Sequence, residues 1–415
     1  MPIRGTITLN GDKSISHRAL MIGSITNGKS IIKNLSTGLD VQSTIKCVEA
    51  CGSLIKKDKT NINIYGSSLK NPKSPLNCGN SGTTARLMAG LLCGQGISAK
   101  FFGDKSLSSR PMDRIIIPLQ KMGAKIHSEH NTLPFLNISE SLSGINYKIP
   151  VASAQVKSCL MLAALGANTT SQISESIKTR DHTEKMLKKL GANISIVKNQ
   201  IYVEPLKNKL ESFEYFVPGD PSSAAFFAAA AAMIPNSELM IKNISANPTR
   251  IGFFNILKKM GGGVEWDNIR QISGELVGDV HIYFQPLNGI SIDKTEIPSL
   301  IDELPIISIL ATIGDSPTVI QGAEELRFKE TDRIHAICCN LKRMGVDVIE
   351  KKDGLIINAP SILHSTSIST FNDHRIAMAF TIAGLSSGQY NKIDNEECIN
   401  ISFPEFFTVL RMINR

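Results

Sequence analysis

The 415 residues, 42% of them apolar, suffice for two or three domains with buried cores, and the longest apolar run, AAFFAAAAAMI at 224–234, is too short to span a bilayer. The opening MPIRGTITLN alternates like a strand and lacks the apolar core of a signal segment, which argues against export and for a cytoplasmic chain. Lys plus Arg number 45 against 37 Asp plus Glu, so the partner is expected to be anionic; with the cations dispersed and a single Trp, small phosphorylated molecules fit better than nucleic acid. Eight cysteines without a CxxC pair read as reduced core residues, and eight histidines without ligand spacing predict no metal site.

In chain order, GDKSISHRAL (11–20) comes first. It gathers Lys13, His17 and Arg18 where an apolar helix begins, with Asp12 or Ser14 as a possible cap. A helix start already favours anions, and the added cations strengthen that preference. GSITNGKS (23–30) matches the P-loop pattern letter for letter. The helix precedes it and the strand follows, the reverse of what a phosphate cradle needs, so it reads as a helix–turn–strand connection with Gly28 in the turn.

A phrase then recurs: CVEACGSLI (47–55), LQKMGAKI (119–126), LKKLGANI (187–194), LKKMGGGV (257–264) and LKRMGVDV (341–348). Each pairs helical apolar spacing with a glycine and a strand start, as a left-handed helix C-terminus requires. The glycines stand about 70 residues apart, the last interval being longer, which predicts copies of one α/β unit. Five visible copies and a shorter sixth near AFTIAGLSSG (379–388) give two domains of three units, with a break near VPGDPSS (217–223).

Between these phrases lie charged constellations at helix starts. NCGNSGTTARL (77–87) offers Asn80, Gly82, Thr83 and Arg86; DKSLSSRPMDR (104–114) places Arg110 ahead of Pro111 and a helix; VASAQVKS (151–158) has Ser153, Gln155 and Lys157 leading an apolar helix. KTRDHTEKML (178–187) carries Arg180, Asp181 and His182, the histidine reading as a surface or capping residue. SLIDELPI (299–306) sets Asp302 and Glu303 before a buried helix, and FNDHRIAM (371–378) sets Asp373, His374 and Arg375 before another. RFKETDRI (327–334), if helical, turns Lys329, Glu330 and Arg333 to one side. The cations there lower the pKa of Glu330 until substrate anions neutralise them, after which the carboxyl can give up a proton. Each stretch alone can be a capped, solvated helix end. Together they predict a cleft between domains that holds two anionic substrates, with acid–base chemistry between them.

GDKSISHRAL, GNSGTTARL, SLSSRPM, ASAQVKS, TRDHTEKML, PGDPSSAA, NPTRIG, IDELPI, EELRFKETDRI, DHRIAM and SFPEFF, in this order from about residue 4 to the end, resemble the motifs of the 5-enolpyruvylshikimate-3-phosphate synthase family. ASAQVK, TRDHTEKML and SFPEF resemble its class II bacterial form. The resemblance implies an α/β enolpyruvyl transferase fold of two similar domains, each of three βαβαββ repeats, here 13–219 and 1–12 plus 220–415. It implies addition–elimination between phosphoenolpyruvate and shikimate 3-phosphate without metal or organic cofactor, in a monomer that binds neither nucleic acid nor membrane. Carried over by motif, Lys13 lies between both substrates; Ser14, Arg18, Ser153, Gln155, Arg180, Asp302 and Lys329 serve shikimate 3-phosphate. Asn80, Gly82, Arg110, Gln155, Arg333 and Arg375 serve phosphoenolpyruvate. Asp302 takes the proton of the attacking 5-hydroxyl, and Glu330 protonates the methylene carbon.

Three departures accompany the resemblance. Only twelve residues precede Lys13, Ser402 stands where class I members place a lysine, and Gly82 stands where many glyphosate-tolerant class II members have Ala, which makes glyphosate an expected inhibitor. The nearest rival, the UDP-N-acetylglucosamine enolpyruvyl transferase, has a reactive Cys five residues before its Arg-Pro pair, where this chain has Lys105. A non-catalytic phosphate binder is the other alternative; it would keep the cations but need neither Asp302 nor Glu330.

Overall fold

The five glycines of the recurring phrase all adopt positive φ: +98° at Gly52, +105° at Gly123, +88° at Gly191, +91° at Gly261 and +88° at Gly345. Each follows the C-cap of a helix (Leu39–Ala50, Asp113–Lys121, His182–Lys189, Gly252–Lys259, Arg333–Arg343) and leads into a strand. At Gly191 a Cβ would meet nothing within 4 Å, so the left-handed backbone, not crowding, is what calls for glycine there.

The computed structural model describes residues 1–58, 61–138 and 140–414. It forms two units, one of Met1–Asn10, Pro218–Ile272 and Leu276–Arg415, the other of Gly11–Val217 with Ser273–Glu275. Each unit contains three sheets among the described residues. One connectivity repeats: a short parallel pair followed by two antiparallel steps. In the Gly11–Val217 unit, Leu76–Asn77 runs parallel to Ala99–Phe102, which pairs with Phe135–Ile138 and then Lys125–Ser128. Asn146–Lys148, Ser171–Ser174, Gln200–Val203 and Ile194–Val197 repeat the scheme. In the other unit, Ser291–Ile292, Thr318–Ile320, Gly354–Ile357 and Val348–Lys351 do so again. The sheet in the sixth position has only two strands, Ser367–Ile368 and Lys392–Ile393, matching the shorter sixth copy.

Helices fill the interior of each unit. Nine of the thirteen residues of Pro221–Met233 are Ala or Phe, and all but Ser223 are buried, as a helix apolar all round must be. In the other unit the helices Gly82–Gly94 and Ala154–Ala164 touch backbone to backbone: a Cβ at Gly90 would fall 2.1 Å from the Cys159 carbonyl oxygen. That close approach sets the starts of the two helices, with Gly82 and Gln155, side by side. No helix among the described residues is long and apolar enough to cross a membrane.

Three local expectations change. Gly28 lies within the strand Thr26–Lys33, opposite Gly66, and the turn after the helix Lys13–Gly23 is made earlier, at Ser24 and Ile25. Residues 327–334 are not one helix: a 3₁₀ turn at Glu324–Phe328 is followed by extended Lys329, and the helix starts at Arg333, capped by Asp332. An acceptor at Asp332 that caps the His335 N–H at 3.0 Å explains the break. His182 is fully buried instead of superficial, its Nδ1 2.7 Å from Glu275 Oε1, with Lys185 Nζ 3.6 Å from the other oxygen.

Glu275 carries a pH prediction. Burial pushes its carboxyl up, but His182 and Lys185 outweigh burial and hold it below its ordinary value. Its contribution is therefore complete above the unfolded-state value of about 4.3 and lost as pH falls through the lower folded one. Glu275→Gln should cost about 1–3 kcal/mol at pH 7. Urea unfolding should show the gap to the unaltered protein closing below pH 4; a gap independent of pH would contradict this.

Candidate active site

In the Gly11–Val217 unit, Asp12 accepts from the Ile15 N–H at 3.0 Å and starts the helix Lys13–Gly23. Lys13, its first residue, reaches Asp40 Oδ2 at 2.9 Å. One turn on, Arg18 is buried: its Nε donates to Thr183 Oγ1, its Nη2 to Ser158 Oγ and its Nη1 to the Ser14 carbonyl, all at 2.7 Å. Burial, aided by Arg180, lowers Arg18 to about 10, which leaves it cationic at neutral pH. Arg180 Nη1 donates to Ser14 Oγ at 3.1 Å. Lys157, with no exposed surface, braces the segment that bears Arg180 through Glu175, Glu184 and the Thr179 carbonyl. The geometry therefore gathers Ser14, Arg18 and Arg180 into one anion-seeking group.

A second group forms where the two touching helices begin. Ser81 caps one, accepting from Thr84 N–H at 3.1 Å, and Ser153 caps the other, accepting from Val156 N–H at 3.3 Å. Gly82 and Gln155 follow these caps. Arg110, nearly buried, donates to Asn80 Oδ1 at 2.8 Å and Ser106 Oγ at 3.2 Å, and lies after a short helix, Lys105–Ser108. Pro111 stands just outside the next helix, which starts at Asp113, not in its first turn. Arg86 Nη1 donates to Gln155 Oε1 at 2.6 Å.

In the other unit, Arg333 is the centre. It is 1% exposed, yet ringed by carboxylates: Nε to Asp373 Oδ2 at 2.7 Å, Nη2 to Glu330 Oε2 at 2.5 Å, Nη1 to Asp302 Oδ1 at 3.4 Å. Burial disfavours its charge, but Asp373, Glu330 and Asp302 outweigh that and raise the guanidinium above its ordinary value. Lys329 Nζ lies 3.4 Å from Asp302 Oδ1, and Arg375 Nη1 donates to the Asp302 carbonyl at 2.9 Å and approaches Glu303 Oε1 at 3.5 Å. Asp302 and Glu303 precede the helix Leu304–Ala311, and Asp373 caps the helix His374–Ser386. Here carboxylates match or outnumber cations, so the cluster can bind an anion and also hold or move a proton.

Every candidate residue of this second unit (Asp302, Lys329, Glu330, Arg333, Arg375) thus belongs to one network. Three residues were not assigned a role from sequence. Asp40 holds Lys13, Asp373 holds Arg333, and Arg86 holds Gln155. Only Arg86 and Asp373 carried a signal, lying within charged motifs; Asp40 is an ordinary acidic residue in a helix first turn.

The chain matches the family described as EPSP synthase (3-phosphoshikimate 1-carboxyvinyltransferase) over residues 1–410. It is 44% identical over 414 residues to the 3-phosphoshikimate 1-carboxyvinyltransferase of Thermoanaerobacter sp. (strain X514), covering 99% of this chain and 98% of that protein. Its structure is similar to that of EPSP synthase from Acinetobacter baumannii, with a TM-score of 0.87 and 38% identity over 99% of this chain and 96% of the other. The enolpyruvyl transferase NikO from Streptomyces tendae shares the fold at a TM-score of 0.80 and 14% identity, over 100% of this chain and 95% of that one.

Proposed function

The chain belongs to the EPSP synthase family, and from that premise we propose that it transfers the enolpyruvyl group of phosphoenolpyruvate to the 5-hydroxyl of shikimate 3-phosphate, giving 5-enolpyruvylshikimate 3-phosphate and phosphate. It is an enolpyruvyl transferase of the shikimate pathway, which supplies aromatic amino acid biosynthesis. The observation that carries the division of labour is the Arg333 network, in which one buried guanidinium touches Asp302, Glu330 and Asp373. A buried guanidinium needs a counterion, and the wholly buried Asp373 supplies it; Asp302 and Glu330, each partly exposed, are the carboxylates to which we give proton transfer.

In the mechanism we propose, Ser14, Arg18, Ser153, Gln155, Arg180 and Lys329 hold shikimate 3-phosphate. Gly82, Arg110, Gln155, Arg333 and Arg375 hold phosphoenolpyruvate, Asn80 shapes the loop before Gly82, and Lys13 serves both. Asp302 accepts the proton of the 5-hydroxyl as its oxygen attacks C2 of phosphoenolpyruvate. Glu330 delivers a proton to C3, giving a tetrahedral intermediate. Loss of a proton from C3 back to the enzyme then expels phosphate from C2. The cations offset charge that grows on the phosphate as this bond breaks.

All three groups of candidate residues come from one chain, which supports a monomer. The substrates are multiply charged and do not cross a bilayer unaided, which supports work in the cytoplasm. Phosphate release should occur with phosphoenolpyruvate plus shikimate 3-phosphate and not with UDP-N-acetylglucosamine as acceptor. Release with the nucleotide sugar alone, or with neither acceptor, would contradict the reading.

Glyphosate should compete with phosphoenolpyruvate, because Gly82 adds no side chain beside Arg110. Inhibition in the micromolar range, about −8 kcal/mol, is expected from a titration; millimolar tolerance, about −4 kcal/mol, would contradict it.

A further inference from the structure

We propose that Arg86 is a positioning residue for phosphoenolpyruvate, acting by fixing the amide of Gln155. The proposal rests on the enolpyruvyl transfer reading above. Arg86 follows Gly82 by one turn of the helix Gly82–Gly94, so the two share a face. Its Nη1 donates to Gln155 Oε1 at 2.6 Å and its Nη2 to the Pro111 carbonyl at 3.1 Å. The same Nη1 is the nearest atom, at 2.9 Å, to where a Cβ at position 82 would sit. One guanidinium therefore reaches three of the four segments of this unit that carry the phosphoenolpyruvate residues, those of Gly82, Arg110–Pro111 and Gln155, the fourth being that of Lys13.

A guanidinium only donates, so it selects the carbonyl oxygen of Gln155. The amide nitrogen is turned the other way, where it donates to Thr83 Oγ1 at 2.9 Å and has a second N–H for an anion. Without Arg86 the amide can flip and present its oxygen to the substrate, exchanging attraction for repulsion. Lysine cannot replace the fork, since one ammonium does not span Gln155 and Pro111 as two fixed N–H groups do. Gly82→Ala acts on the same device from the other side. Its methyl would fall on the flexible end of Arg86 and push it from Gln155.

Shikimate 3-phosphate depends less on this device, because Ser14, Arg18, Ser153 and Arg180 also hold it. The test is steady-state phosphate release for the unaltered protein, Arg86→Lys, Gly82→Ala and the double variant. Calorimetric titration of shikimate 3-phosphate and a thermal melt accompany each. Arg86→Lys should raise the KM for phosphoenolpyruvate at least about 10-fold and leave shikimate 3-phosphate affinity within about threefold, since losing the fork that spans the Gln155 and Pro111 oxygens frees the Gln155 amide to flip. Gly82→Ala should raise the same KM, and the two changes combined should fall short of the product of their separate effects.

An unchanged KM in Arg86→Lys, a parallel loss of affinity for both substrates, or fully multiplicative effects would overturn the proposal. So would an Arg86→Lys protein that fails to fold, which would assign Arg86 to the scaffold. If the unaltered protein releases no phosphate, the enolpyruvyl transfer reading itself falls, and this proposal with it.

Discussion

Glu330→Gln should lower turnover by about 10²–10⁴-fold, the range spanned by positioned acid–base groups, while shikimate 3-phosphate still binds. The glutamine oxygen can accept from Arg333 Nη2 as the carboxylate does, so the contact at 2.5 Å has a replacement and the fold loses little. What the amide cannot do is carry a proton to C3 of phosphoenolpyruvate and take one back. Of the groups proposed for shikimate 3-phosphate, Ser14, Arg18 and Arg180 are held by hydrogen bonds that do not involve Glu330. Single-turnover kinetics beside a calorimetric titration separates chemistry from binding. Turnover within threefold of the unaltered protein would remove Glu330 from the proton route.

The second large effect is on stability. Arg333→Met should cost about 3–5 kcal/mol, the scale for breaking a buried pair by removing one partner. Asp373 is wholly buried and gives its oxygens to Arg333 Nε and to the Arg375 N–H. With the guanidinium gone, its charge loses its principal counterion, and Glu330 and Asp302 each lose a close cation as well. Arg333→Lys restores a charge but not the three-way fork, so it should recover part of the stability and little of the affinity for phosphoenolpyruvate. Urea unfolding measures the first and the KM the second. A loss below about 1 kcal/mol in Arg333→Met would place the network among weak surface pairs, which the 1% exposure of Arg333 argues against.

These effects show which parts of the molecule a sequence discloses. The five phrase glycines were legible because a left-handed φ after a helix is a local requirement that few side chains meet. The helix starts at Lys13, Ala154 and His374 were legible for the same reason, since Asp12, Ser153 and Asp373 are capping residues next to apolar runs. Contacts across the chain were not. His182 looks like a cap until Glu275, far along the chain, closes on its ring. Lys329, Glu330 and Arg333 looked like neighbours on one helix face. In the structure they meet through an extended residue and a cap, with Asp302 and Asp373 brought in from elsewhere. The residue types needed for the chemistry were readable; which carboxylate holds which cation depends on tertiary packing.

Addition–elimination is tested most directly by running the reaction in D₂O and locating deuterium in the product. If Glu330 protonates C3 and a proton leaves the same carbon afterwards, solvent deuterium must appear in the methylene group of 5-enolpyruvylshikimate 3-phosphate. Deuterium there is the expected result. Product formed at full rate with no deuterium in that group would mean C3 is never protonated, and the roles given to Glu330 and its carboxylate network would be wrong.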